Sequence, residues 1–293
     1  MDSSTFLIQC LNALQYGLLL FLVASGLTLI FGIMGVINLA HSSFYMIGAY
    51  MAYGLSPVVA QVVGGGFFTT LLLGLVLAVL LGYLIEWAFF SFLYDRDHLQ
   101  QVLMTYGLIL VFEELRSLLV GNDVHGVVVP PWLSGSIQLG DVMTYPVYRL
   151  FISAVCLAVA LGMYLVFTRT RLGMMIRAGS VNREMVQALG VDIKFLYRVV
   201  FAAGVALAAL AGMVAAPVSS VYPNMGGSIL IICFVVVVIG GIGSIRGAFL
   251  AALLIGIVHT FGKVLMPQAA GLMVYILMAL ILLWKPAGLF KAG

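Results

Sequence analysis

Charge is what this chain has least of. Of its 293 residues, 13 are Lys or Arg and 10 are Asp or Glu, 8% in all, where a soluble globular domain carries about 25%. Apolar residues make up 64%, and the mean hydropathy is +1.22. That balance excludes a cytosolic enzyme, a disulfide-rich secreted domain and a disordered chain. The apolar residues run from end to end, which also excludes a soluble protein on a single anchor, so the lipid bilayer is the main solvent. Cysteine is scarce too. Cys10, Cys156 and Cys233 sit far apart inside apolar runs with no Cys-x-x-Cys spacing, and they read as small helix fillers. No Lys or Arg precedes the first apolar run, which starts at Phe6, so a cleavable secretory leader is not expected.

The motifs of catalysis are missing as well. Gly262-Lys263 has neither the earlier Gly nor the following Ser or Thr of a phosphate-binding loop. His41, His98, His125 and His259 are scattered, without metal-ligand spacing. No Gly-x-Ser-x-Gly and no Ser/His/Asp arrangement occurs. No catalytic residue, metal or cofactor is expected, and a net charge of +3 gives no reason to expect nucleic acid.

What is there is a series of apolar runs. A membrane-crossing helix needs about 20 mostly apolar residues. Candidate spans fall at 7–30, 41–59, 67–90, 99–120, 147–168, 199–220, 228–242, 248–264 and 270–285. None shows the polar/apolar alternation of a membrane strand. The expectation is an all-α polytopic membrane protein of about eight to ten transmembrane helices, one membrane domain over 1–293. Its longest polar connection runs from Gly121 to Pro146.

Orientation follows from the basic residues. Arg169, Arg171, Arg177, Arg183, Lys194 and Arg198 crowd the segment 169–198, which the positive-inside rule places in the cytoplasm. Alternating the spans then puts Arg96, Arg246, Lys285 and Lys291 on the same side, ten of the 13 basic residues. Arg116, Arg149 and Lys263 remain near the outer face. The N-terminus, with Asp2, falls outside and the C-terminus inside.

Two spans, 228–242 and 248–264, cover only about 22 and 25 Å as helices. Between them runs Gly240-Gly241-Ile242-Gly243-Ser244-Ile245-Arg246-Gly247, which has the shape of Gly32-Ile33-Met34-Gly35-Val36-Ile37-Asn38-Leu39-Ala40 in the first half. Gly-interrupted segments in corresponding halves point to broken helices beside a translocation path; close helix packing at the glycines is the compatible alternative. Asn38, His41, Ser42 and Ser43 form the most polar patch of the first half, and Ser42 is placed to cap the helix that follows. These four residues, with Gly240, Gly241, Gly243 and Ser244, are the candidate path.

Charges inside spans need a reason. Glu86 lies near the inner end of the third span, within reach of the interface. Glu113 and Arg116 stand at i, i+3 in the fourth, suited to pair on one face, with Glu114 beside them. A proton relay through these acids is the alternative to paired interfacial charges. In the basic segment, Ser180 is an expected N-cap, Glu184 lies in the first turn and Gly190 closes the helix. Val181, Met185, Ala188 and Leu189 give it one apolar face, which must be buried against lipid, the bundle or a partner.

Three ordered motifs carry a family resemblance. The run from Gly26 to Tyr50, which includes Asn38-Leu-Ala-His41-Ser-Ser, resembles the inner-membrane permeases of branched-chain amino-acid ABC importers, specifically the LivH-like subunit. The stretch Arg177 to Val191 is similar to that family's coupling segment, and Val238 to Ala248 is similar to its third signature. Ser42 stands where the family usually has Gly. The resemblance implies a non-catalytic permease subunit in a bacterial inner membrane. Its partners would be a LivM-like paralogous permease, two cytoplasmic ATP-binding subunits and a periplasmic solute-binding protein. It implies ATPase coupling through Arg177, Ser180, Asn182, Arg183, Glu184, Ala188 and Gly190, and transport of branched-chain or related small amino acids or carboxylates. An ion-coupled secondary transporter through Glu86, Glu113 and Glu114 is the rival reading. An importer permease for urea, amides, sugars or nucleosides would differ only in solute.

Overall fold

A computed structural model describes residues 3–62, 66–94, 96–139 and 143–290; Asp2 and Lys291, used above for orientation, lie outside them. The helices are α1 (Ser3–Met34), α2 (His41–Val62), α3 (Phe67–Ala88), α4 (His98–Val120), α5 (Val147–Arg169), α6 (Arg171–Val181), α7 (Arg183–Ala188), α8 (Ile193–Ser219), α9 (Met225–Gly240), α10 (Ile245–Leu265) and α11 (Ala270–Trp284). Each of the nine expected spans coincides with one of them. Among the described residues, six helical segments are long and apolar enough to cross a membrane, namely those containing α1, α3, α5, α8, α10 and α11. The α9 helix is apolar but short, and α4 carries Glu113, Glu114 and Arg116. The chain is an all-α, multi-pass membrane protein.

The connection from Gly121 to Pro146 is less irregular than its turn residues suggest. It contains an antiparallel hairpin of β1 (Ser136–Leu139) and β2 (Met143–Pro146), with Ile137 opposite Tyr145. Tyr145 is buried at the foot of the hairpin, where its hydroxyl donates to Asn12 Oδ1 at 3.2 Å. Arg149 Nη1 donates to the same oxygen at 2.7 Å, so the hairpin is pinned to the start of α1. Upstream, His125 and Val221 exchange backbone hydrogen bonds of 2.9 and 2.8 Å.

Two helices that are apolar all round form the centre. The most apolar windows of α1 and α8 are 89% and 78% buried, against 17% for α5 and α11, as expected of helices enclosed by others. Small residues set the spacing. A Cβ on Gly26 would lie 2.6 Å from the Gly204 carbonyl oxygen, and Gly48 meets the Ala209 backbone. Along α10, α1 runs antiparallel, Gly32 against Gly243, Gly17 against Ala252 and Gly256 against Ala13. Along α8, α3 does the same, Gly82 against Ala202 and Gly74 against Met213.

The triplets α1–α2–α3 and α8–α9–α10 therefore correspond, each with an outer helix lying along the central helix of the other triplet. This corrects the pairing read from the sequence. The equivalent of the 35–40 connection is 220–224, which carries the left-handed residues Ser220 and Asn224 (both φ 59°), and not 240–247. The two glycine segments look alike because both turns need positive φ, at Gly35 (66°), Gly241 (95°) and Gly243 (80°), and because they pack on one another.

Candidate functional site

The α2 helix begins inside the bundle. After α1 ends at Met34 the chain turns back, and the His41 ring reaches Val23, about 16 Å up α1 at 1.5 Å per residue. His41 Nε2 lies 3.0 Å from the Val23 carbonyl oxygen. A carbonyl only accepts, so Nε2 carries the proton and Nδ1 is left with a bare lone pair, buried and without a partner among the described residues. Asn38 is fully buried, and neither its Nδ2 nor its Oδ1 has a partner there. Ser42 and Ser43 are buried in the first turn of α2, which begins at His41. Ser42 is thus inside the helix and not its cap.

The short α9 starts at the same depth. A Cβ on Gly226 would lie 2.9 Å from the Ser42 carbonyl oxygen and 3.4 Å from Ser43 Cα. Two helix N-termini therefore meet inside the bundle, with unpaired polar atoms of Asn38 and His41 at one of them. Backbone N–H groups and the helix dipole make such a place favourable for negative charge.

The other half of the candidate path lies at the C-terminal end of α1, where Gly32 meets the 240–247 turn. Ser244 caps α10 by accepting from the Gly247 N–H at 3.1 Å. A Cβ on Gly32 would come within 2.7 Å of Gly243 Cα. The C-terminal segment closes over the turn, with the Leu289 N–H donating to Ile239 O at 2.8 Å and the Phe290 N–H to Gly240 O at 3.2 Å. Gly241 faces the Phe290 backbone and Gly288. These glycines form a sealed turn, joined to the Asn38–His41 patch through α1.

The basic segment folds as a two-helix hook. Instead of one helix over 180–190, α6 ends at Val181 and α7 begins at Arg183. Asn182 makes the break: its backbone is extended (φ −150°, ψ 96°) and its Oδ1 accepts from the Met185 N–H at 2.9 Å. Ser180 is not the cap; it lies in the last turn of α6 and donates to Arg177 O at 2.8 Å. A short side chain that competes locally for backbone partners ends one helix and starts the next. Gly190, at φ 86°, closes α7 as expected. Val186 and Ile176 are buried and hold the hook to the bundle. Arg177, Ser180, Asn182, Arg183, Glu184, Ala188 and Gly190 are all exposed. Among them stand Val181, Met185 and Leu189, 80%, 59% and 77% exposed, an apolar ridge with no cover among the described residues.

Two of the three acids, Glu86 and Glu113, are paired. Glu113 Oε2 lies 3.1 Å from Arg116 Nε, and the rest of that guanidinium donates to Gly121 O and Asn122 Oδ1 at 2.6 and 2.9 Å. Glu114 points outward from α4. Glu86 is 1% exposed, accepts from the Tyr94 hydroxyl, and lies 3.2 Å from Arg198 Nε. Burial, and next the Glu86 carboxylate, push the Tyr94 hydroxyl well above its ordinary range, so it stays protonated and donates. Sequence reading missed this pair because it placed Arg198 in a loop. The signal was Asp192, whose Oδ1 accepts from the Phe195 N–H at 3.1 Å and starts α8 before Arg198.

The family model described as the branched-chain amino acid transport system permease component matches residues 9–283. BraD, a high-affinity branched-chain amino acid transport system permease protein of Pseudomonas aeruginosa, is 29% identical over 97% of this chain and 95% of its own. LivH of Escherichia coli strain K12, which carries the same description, is 27% identical over 97% and 95%. A solved structure, PsaBC from Streptococcus pneumoniae in complex with Fab, is 13% identical over 93% of this chain and 89% of that one, with a TM-score of 0.49.

Proposed function

Since the chain belongs to the branched-chain amino acid transport permease family, we propose that it is the permease subunit of an ABC importer, forming the path for branched-chain or related small amino acids. The family match over residues 9–283 carries this reading. Permeases of this kind work with ATP-binding subunits and a solute-binding protein. The finer reading is a LivM-like permease partner, two ATPases under the basic hook and a periplasmic binding protein on the hairpin side. It places the chain in a bacterial inner membrane with the hook and the C-terminus in the cytoplasm, as one permease domain over 1–293.

Beside Asn38, His41, Ser42 and Ser43, the solute's carboxylate suits the helix N-termini where the first turns of α2 and α9 converge, and its ammonium group suits the His41 Nδ1 lone pair. Gly240, Gly241, Gly243 and Ser244 shape the lower end of that path by holding α9, α10 and the C-terminal segment together. The ridge of Val181, Met185 and Leu189 enters a cleft of an ATPase, and Arg177, Arg183 and Glu184 flank it with charge. The pairing of Glu86 with Arg198 and of Glu113 with Arg116 disfavours the secondary-transport reading.

The test is uptake of labelled leucine into vesicles holding the permease with its co-purified partners. Uptake that needs internal or external ATP on the ATPase side, and ignores proton and sodium gradients, is the expected result. Gradient-driven uptake without ATP would remove the importer reading.

A further inference from the structure

A cavity of about 450 Å³ opens where the end of α3 meets the start of α8, within the roughly 300–1,000 Å³ of small-molecule sites. Its walls include Trp87, Ser91, Phe92 and Tyr94 from one side and Lys194 and Arg198 from the other, with Glu86 at its base. Glu86 balances one positive charge by pairing with Arg198, whose guanidinium also stands 5.8 Å from the Tyr83 ring centre. Lys194 is exposed and has no acidic partner among the described residues. Among the described residues the cleft thus keeps one cation without an acidic partner. Above it, Leu80, Leu84 and Trp87 make an exposed apolar stripe along α3, 54%, 56% and 58% exposed.

We infer that this cleft seats the phosphate of an anionic phospholipid, with Lys194 and Arg198 on the headgroup and an acyl chain along Leu80 and Leu84. Free phosphate offers the same anion, but the apolar stripe running out of the cleft favours a ligand with a hydrocarbon tail. Basic pockets between transmembrane helices, at interface depth and beside tryptophan, suit such headgroups. The net charge of Glu86, Arg198 and Lys194 matches a single phosphodiester anion.

Trp87 makes the seat measurable. The chain has three tryptophans, so a Trp132→Phe/Trp284→Phe variant leaves Trp87 as the only one. In nanodiscs, phosphatidylglycerol with brominated chains is expected to quench Trp87 more strongly than brominated phosphatidylcholine at equal mole fraction. Lys194→Gln should lower that preference about fivefold, the worth of one basic contact near an anionic surface, and Lys194→Arg should keep it. Equal quenching by the two lipids, or a preference indifferent to Lys194→Gln, overturns the proposal. Loss of the phosphatidylglycerol effect in millimolar inorganic phosphate at constant ionic strength assigns the cleft to a soluble anion and overturns the lipid. Should the double variant not fold, native mass spectrometry of the otherwise unaltered chain and of Lys194→Gln decides by the same criterion. Retention of phosphatidylglycerol must fall in the variant, and unchanged retention sinks the idea.

Discussion

Glu86 shows how a single ionised side chain is kept inside a membrane protein. Its carboxylate is 1% exposed but has both a hydroxyl donor and a guanidinium beside it. Removing one partner of such a pair leaves the other charge unmatched, which destabilises the fold. Glu86→Gln is therefore expected to lower thermal stability in detergent, and the double variant Glu86→Gln/Arg198→Met to recover much of the loss. A double variant no better than the single one would show that the pair is not coupled. Gly243 makes the opposite point, since what matters there is the absence of a side chain. Its φ of 80° is one that a β-branched residue rarely adopts, and its Cα stands 2.7 Å from where a Cβ on Gly32 would lie. Gly243→Val should abolish uptake, with the protein still in the membrane at reduced stability; full uptake would make the sealed turn dispensable. The sequence showed that these residues were unusual. It did not show their partners, because Arg198 and Gly32 are far away along the chain and nothing local encodes the meeting.

For the helices, hydropathy was a good guide to where they lie and a poor one to where they start. All nine expected spans are helices, since about 20 apolar residues in lipid must satisfy their backbone internally. The depth at which α2 and α9 begin was not legible, because a helix that starts mid-bundle has the same composition as one that starts at the surface. The hook was misread for a related reason: Ser180 and Asn182 are both good capping residues, and only the geometry shows Asn182 doing the capping. This separates two variants that sequence alone would treat alike. Asn182→Ala should cost about 1 kcal/mol of local helix stability and weaken the coupling of ATP hydrolysis to solute, while Ser180→Ala should leave it near wild type. Hydrolysis by the assembled importer, with and without solute, is the measurement. Equal effects of the two substitutions would detach the cap from coupling. Met185→Asp with Leu189→Asp tests the ridge itself and should abolish co-purification of the ATPase; an intact complex would place the docking surface elsewhere.

For the molecule as a whole, the central arrangement is two matching triplets whose long helices, α1 and α8, are enclosed while α5 and α11 face outward. The general architecture was readable from composition. The internal correspondence was not, because a pseudo-repeat in packing leaves only a faint trace when each copy has met different neighbours. Sidedness is the molecular property most directly open to test. On a background without Cys10, Cys156 and Cys233, Met185→Cys should react with an impermeant maleimide only from the cytoplasmic side, and Ile137→Cys only from the periplasmic side. Labelling of both from one side would invert or break the topology. The enclosed state of α1 also has a consequence for biogenesis. Its closest neighbours, α8 and α10, are separated from it in sequence by α2 to α7. During synthesis α1 must wait in lipid with its glycine face bare, a state its uniformly apolar surface tolerates and a polar face would not. Assembly therefore ends when the late helices reach back to the early one. A defect in α8 or α10 should show itself as an inserted but unassembled protein, cleared by quality control, and not as a failure to enter the membrane.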